Sequence, residues 1–145
     1  MIRRALVDDL AAIIAVRTSV EENYLSVADM VARGITSERI VGEMNSGKLG
    51  GWVAEEEDGI VAFVMADRDD GQIFALFTSA GFERRGYGTR LLDQALAWLK
   101  SHGHTEAWLS TGRGTMARDF YERRGWRLSS DDPDDRLDIL LTKVL

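Results

Sequence analysis

The sequence predicts an α+β fold (α/β by some schemes): a mixed, mostly antiparallel, twisted sheet of six to seven strands flanked by about four helices. Three observations predict it. First, Asp58-Gly59 and Asp70-Gly71 separate three apolar runs in mid-chain, the pattern of hairpin-linked strands. Second, stripes of helical period lie before and after those runs, so strands and helices mix along the chain. Third, 145 residues at 45% hydrophobic and 29% charged suit one packed domain, 1–145.

Element by element, Ile2–Leu6 reads as a first strand. Asp8 is placed to cap a helix in which Leu10, Ile13, Ile14 and Arg17 share a face. Ser26, with Asp29 three residues on, forms a capping-box pattern for a second helix, with Val27, Met30 and Val31 inward and Gly34 as its stop. Ser37–Met44 is a third helical stretch with Ile40, Val41 and Met44 on one side. Gly47, Gly50 and Gly51 then interrupt the pattern. Strands are expected at Gly51–Glu56, Ile60–Ala66 and Gln72–Ser79. The last is apolar on both faces, as for a central strand covered on both sides. Leu91, Leu92, Ala95, Leu96 and Leu99 form the stripe of a long helix that Gly103 ends. Ala107–Ser110 is a strand, and Thr115–Arg124 a last helix with Met116, Ala117, Phe120 and Tyr121 on a shared face. Gly125 stops it. Trp126–Ser129 and Leu137–Val144 read as a closing hairpin across the acidic loop Ser130–Asp135.

Composition excludes several chemistries. With no cysteine, disulfides, thiolate metal sites and a cysteine nucleophile are ruled out. With only His102 and His104, no metal is expected; both sit at a helix end, where a favourable interaction with the dipole explains them. A net charge of -6 opposes nucleic-acid binding, draws in a cationic substrate weakly, and serves solubility. The apolar run Leu10–Val16 is short, follows Asp8 and Asp9 and ends at Arg17, unlike a signal peptide. No stretch is long enough to span a bilayer, and a cytoplasmic protein without membrane partners is expected. Trp52, Trp98, Trp108 and Trp126 read as core or rim packing, with Trp52 alternatively lining a substrate pocket.

The informative segment runs from Phe77 through Gly81-Phe82-Glu83-Arg84-Arg85-Gly86-Tyr87-Gly88-Thr89 to Arg90-Leu91-Leu92: strand, glycine loop, amphipathic helix. A helix start has unpartnered N–H groups and about half a positive charge from the dipole. Gly86 and Gly88 clear side chains from those amides, and Arg84, Arg85 and Arg90 add charge, which together suit a diphosphate. The alternative is a solvated arginine turn before an ordinary helix. No Gly-Lys-Ser/Thr follows, so this is not a P-loop, and it lacks the three glycines of a dinucleotide fingerprint.

This segment resembles the signature Arg/Gln-x-x-Gly-x-Gly/Ala of the GNAT superfamily of N-acetyltransferases. The run Ala117-Arg118-Asp119-Phe120-Tyr121-Glu122-Arg123-Arg124-Gly125-Trp126 resembles the same superfamily's Ala-x-x-Phe-Tyr-x-x-x-Gly-Phe/Trp motif. The element order from Ile2 to Leu145 fits as well. The chain departs from the pattern at Glu83 (usually Gln or Arg), Ala80 (often proline) and Gly114 (often asparagine). The resemblance implies a GNAT-like fold and transfer of an acetyl group from acetyl-coenzyme A to an amine. It implies that the backbone of Leu76, Phe77 and Thr78 pairs with the pantetheine arm, and that the amides of Arg84, Arg85, Gly86, Tyr87, Gly88 and Thr89 hold the pyrophosphate. It also implies that the Thr78 N–H polarises the thioester carbonyl and that Tyr121 contacts the cofactor as general acid toward the departing thiolate. The structural alternative for Tyr121 is a packed helical aromatic with its hydroxyl at solvent. No acid lies on Gln72–Ser79, so the base candidates are Glu21, Glu22 and Asp67.

A non-catalytic acyl-coenzyme A sensor is the alternative to an enzyme, and a domain binding some other nucleotide is a third reading. The acceptor is a small-molecule or peptide amine shaped by Glu21–Met44 and the closing hairpin. Polyamines, amino acids, antibiotics and protein N-termini all stay open, as does a homodimer.

Overall fold

The structure, a computed structural model, describes residues 1–20, 24–112, 115–130 and 138–145. The chain begins with β1 (Ile2–Arg4), a 3-10 turn (Val7–Asp9), α1 (Leu10–Ser19), α2 (Val27–Ala32) and α3 (Ser37–Asn45). Three strands follow, β2 (Leu49–Glu56), β3 (Gly59–Asp67) and β4 (Gln72–Thr78), and then α4 (Tyr87–Ser101). It closes with β5 (Glu106–Gly112), α5 (Met116–Glu122), β6 (Arg127–Ser130) and β7 (Asp138–Val144). Among the described residues that makes seven strands and five α-helices, where about four helices were expected; α2 is only six residues long.

The strands form one sheet in the order β1-β2-β3-β4-β5-β7-β6. All neighbours are antiparallel except β4 and β5. Parallel neighbours need a crossover, and α4 supplies it. Successive strand residues point to opposite faces, so β2 and β3 serve two cores. Ala54, Val64 and Ala66 pack with Leu91, Leu92, Ala95 and Leu99 of α4. Val53, Phe63 and Met65 pack with Leu10, Ile13 and Val16 of α1 and Ile40 of α3. Each fully buried leucine contributes roughly 1.5–3 kcal/mol.

The capping box on α2 forms as expected: Ser26 Oγ accepts from the Asp29 amide, and the Asp29 carboxylate accepts from the Ser26 amide, both at 3.1 Å. The expected cap on α1 does not. Asp9, not Asp8, precedes α1. Its carboxylate accepts from the Leu6 amide at 2.7 Å and pairs with Arg3 at 2.8 Å, which ties the 3-10 turn to β1. Val27 and Val31, expected inward, are exposed, and so is Met116, which the spacing puts on one face with Ala117, Phe120 and Tyr121. The buried side chains are Met30 on α2 and Tyr121 on α5, the latter with Ala117 and Phe120 packed against the same core.

The helical pattern ends at Asn45, before Gly47, as expected, and Gly50 and Gly51 lie inside β2. A side chain at Gly50 would place its Cβ 2.9 Å from the Trp98 ring. That approach lets Trp98 meet Trp52 edge-on at 5.7 Å, with Arg4 lying over both rings, 4.6 Å from Trp52 and 5.3 Å from Trp98. Trp52 is therefore a core residue. Gly50→Ala is expected to overpack this contact at a cost of about 1–3 kcal/mol, and so to lower Tm by roughly 2–4 °C for each kcal/mol. Thermal unfolding checks it; an unchanged Tm would show that Trp98 is free to move aside.

His102 accompanies the C-terminus of α4 as expected, with Nδ1 2.9 Å from the Trp98 carbonyl. His104 instead contacts the Arg68 carbonyl, so it braces the β3–β4 turn.

Candidate functional site

The site begins where the sheet comes apart. β4 and β5 pair only at Gln72 and Trp108. One cause lies on β4: Met65 and Ala66 of β3 face Ala75 and Ile73, so Phe74 is an extra residue. Such a bulge bends a strand and sharpens its twist. Beyond Gln72 the two strands diverge. This corrects the expectation that β4 is covered on both sides: it is central in strand order, yet Phe74 to Thr78 are only half-buried.

The divergence opens a cleft of about 440 Å³. Ile73–Phe77 and Leu109–Gly112 form its strand walls, Ala117 and Tyr121 of α5 line one side, and Arg17, Arg33 and Ile35 line the helical side. Arg17 lies over the Phe77 ring at 4.1 Å. Backbone direction along β4 follows from one bond, Ser79 N–H to Val61 O at 2.8 Å. Antiparallel pairs alternate between bonded and non-bonded, so the N–H and C=O of Leu76 and Thr78 point away from β3, into the gap. Those of Phe77 point to β3. The expectation of three cleft-facing backbones is thus corrected to two, with Phe77 presenting its ring instead.

Next to the split is the mouth of α4. Gly86 caps the helix with φ 80°, and Arg84 also has a left-handed backbone, φ 64°. The Phe82 amide donates to Ser79 O at 3.1 Å and the Arg90 amide to Gly86 O at 3.1 Å. Between them, the six amides from Arg84 to Thr89 have no partner among the described residues. Glu83, the departure from the usual signature, turns back: its carboxylate accepts from the Gly81 amide at 2.9 Å and leaves the mouth clear. The arginines divide. Arg84 and Arg90 are exposed, while Arg85 pairs with Glu56 at 2.8 Å. The Tyr87 hydroxyl also donates to Glu56. That bond, then Arg85, holds the Glu56 carboxyl below the usual range, and the same carboxylate raises the Tyr87 phenol.

The two glycines do different work. Gly86 needs its positive φ and has open space around it. Gly88 has a Cβ position 3.3 Å from the Phe120 ring, so its role is to let α5 lie against α4.

Tyr121 is buried, with Phe120 and Trp126 edge-on to it at 5.2 and 5.5 Å. It lines the cleft, and no described residue hydrogen-bonds to its hydroxyl. Burial pushes that phenol well above its ordinary range. A donor that stays protonated, beside two cleft-facing peptide groups and a row of open amides, can stabilise a leaving anion next to a bound diphosphate.

Asp67 is not placed as a base. It sits at the far end of β3 opposite Gln72, pairs with Lys48 at 3.3 Å, and accepts from the amides of Asp69 and Asp70. Glu21, Glu22 and Gly114 lie outside the described residues. Sequence reasoning missed Glu56, Arg17, Arg33 and Arg124, since no local pattern marks a residue that reaches the site from a separate element.

Comparison with known proteins adds three findings. Residues 19–126, well over half of the chain, match the acetyltransferase (GNAT) family. No curated protein sequence matches. Among solved structures, the chain is similar to the PaiA N-acetyltransferase from Thermoplasma acidophilum in complex with coenzyme A, at 17% identity and TM-score 0.82 over 100% of this chain and 98% of that one. It is also similar to a ribosomal-protein-alanine N-acetyltransferase from Brucella melitensis, at 18% identity and TM-score 0.74 over 100% and 99%. A GNAT-family acetyltransferase from Staphylococcus aureus Mu50 shares 21% identity at TM-score 0.76 over 100% and 98%. At these identities the likeness establishes the fold.

Proposed function

The chain belongs to the acetyltransferase (GNAT) family, and we propose that it moves the acetyl group of acetyl-coenzyme A to a primary amine by direct attack. The observation that carries this reading is the row of six amides at the mouth of α4 that have no partner among the described residues, next to the β4–β5 split. The amides take the diphosphate, and Leu76 and Thr78 offer peptide groups to the pantetheine arm as an added strand would. The amine nitrogen attacks the thioester carbonyl, whose oxygen gathers charge against the Thr78 N–H. The carbon–sulfur bond breaks, and the thiolate forms beside the Tyr121 hydroxyl. A free thiol titrates near 8.5 and an ordinary tyrosine near 10. Since burial raises Tyr121 further, it stabilises the sulfur by hydrogen-bond donation and keeps its proton. The proton lost by the amine passes to water.

The acceptor enters between α1, α2 and the start of α3, where Arg17, Arg33 and Ile35 line the cleft. One neighbour in fold is named for alanine at a ribosomal protein, which keeps a protein N-terminus among the acceptors to be screened. The test has two stages. Acetyl-coenzyme A at a hundred times its Kd is expected to stabilise the protein by about 2.7 kcal/mol, a rise of roughly 5–10 °C in Tm, with none from ATP or NAD. An amine screen then follows thiol release. No thermal shift would overturn the cofactor assignment; a shift with no thiol released across the panel would point to a sensor.

A further inference from the structure

Arg124, at the end of α5, carries a charge that nothing described compensates. Its Nε and Nη2 both donate to Thr89 Oγ1, at 3.0 and 2.6 Å, and its Nη1 donates to Phe120 O at 2.9 Å. The guanidinium lies over the Phe120 ring, 3.6 Å from the centroid. All these partners are neutral. Arg3, Arg39, Arg68, Arg85 and Arg118 each have a carboxylate within 4.0 Å; among the described residues Arg124 has none. It is also partly buried, where an uncompensated charge costs more than at the surface.

Its position gives the charge a use. Thr89 is the third residue of α4, and its own amide is one of the six open donors. The guanidinium is thus fixed beside the positive end of a helix dipole, two like charges side by side. A bound anion relieves both. Three of the five guanidinium N–H groups are used, which leaves two to donate. Arg85, the arginine nearer the glycines in sequence, is drawn off by Glu56.

We propose that Arg124 is a recognition residue for the diphosphate, reaching it over Thr89 from a different helix than the one that supplies the amides. This rests on the cofactor reading above and adds a contact that the glycine signature does not contain.

The test compares two donors, acetyl-coenzyme A and S-acetylpantetheine, which has the thioester arm but no diphosphate. Charge-assisted hydrogen bonds are the stronger class, so Arg124→Gln is expected to raise Kd for acetyl-coenzyme A about ten- to a hundredfold. Its kcat/KM with S-acetylpantetheine should fall by a much smaller factor than with acetyl-coenzyme A. Arg124→Lys keeps the charge without the fork and is expected to recover part of the affinity; it also serves if the glutamine variant does not fold. Wild-type affinity in Arg124→Gln, or an equal loss with both donors, would overturn the proposal, the second outcome reducing Arg124 to a clamp on α5. If wild-type protein fails to bind acetyl-coenzyme A, the cofactor reading falls first and this one with it.

Discussion

Gly86→Glu is expected to weaken acetyl-coenzyme A binding by about a hundredfold or more while the protein stays folded. The position has φ 80° and nothing within 4 Å of a new Cβ. A side chain there meets no clash, only the left-handed backbone penalty of about 1–2 kcal/mol. The damage falls on the ligand. A carboxylate at the helix cap accepts from the same amides that the diphosphate needs, and repels it as well. Capping offsets part of the strain, so Tm should fall by only a few degrees. Gly86→Asn tolerates positive φ and carries no charge; it is expected to keep affinity within about tenfold. Gly88 behaves differently. Gly88→Ala pushes a methyl against Phe120 at 3.3 Å, so stability and affinity should fall together. Calorimetry with thermal unfolding distinguishes the three variants. Wild-type affinity in Gly86→Glu would remove the diphosphate from this mouth.

Tyr121→Phe is expected to lower kcat about a hundredfold, the low end of what losing one preorganised hydrogen-bond donor costs, with KM for acetyl-coenzyme A within about threefold. The change removes one hydroxyl from a residue whose ring is held by Phe120 and Trp126. No described residue bonds that hydroxyl, so none of them is orphaned and Tm should hold or rise slightly. The sign of the pH effect follows from burial. Desolvation disfavours the phenolate and raises the group, so it stays protonated across the working range. The pH–rate profile below about pH 9 should therefore keep its shape in the variant, at reduced height. An unchanged kcat would rule out any role for the hydroxyl.

Much of this was legible in the sequence because its causes are local. Apolar residues at period two and at period 3.6 put both cores in place. Ser26 and Asp29 wrote a capping box that forms as read. The two Asp-Gly turns placed the three-strand meander of β2, β3 and β4. The misreadings were local patterns overruled from a distance. Val27, Val31 and Met116 have the right spacing for a buried face, but their helices are too short to bury it. Gly50 carries no local sign of its role, which is to leave Trp98, 48 residues on, the space that a side chain would fill.

The sequence by itself determined that the chain has a mixed sheet, a glycine loop opening a long helix, and a tyrosine on a later helix in a GNAT-like order. Tertiary structure alone decided which of those groups meet. The parting of β4 from β5, the turning of Phe77's peptide away from the gap, the capture of Arg85 by Glu56 and the arrival of Arg124 at Thr89 all join residues far apart in the chain. Local spacing sets which way a side chain leaves its own helix or strand. Where that element lies against another is set by packing over the whole core, and the electrostatics of the site follow from that placement.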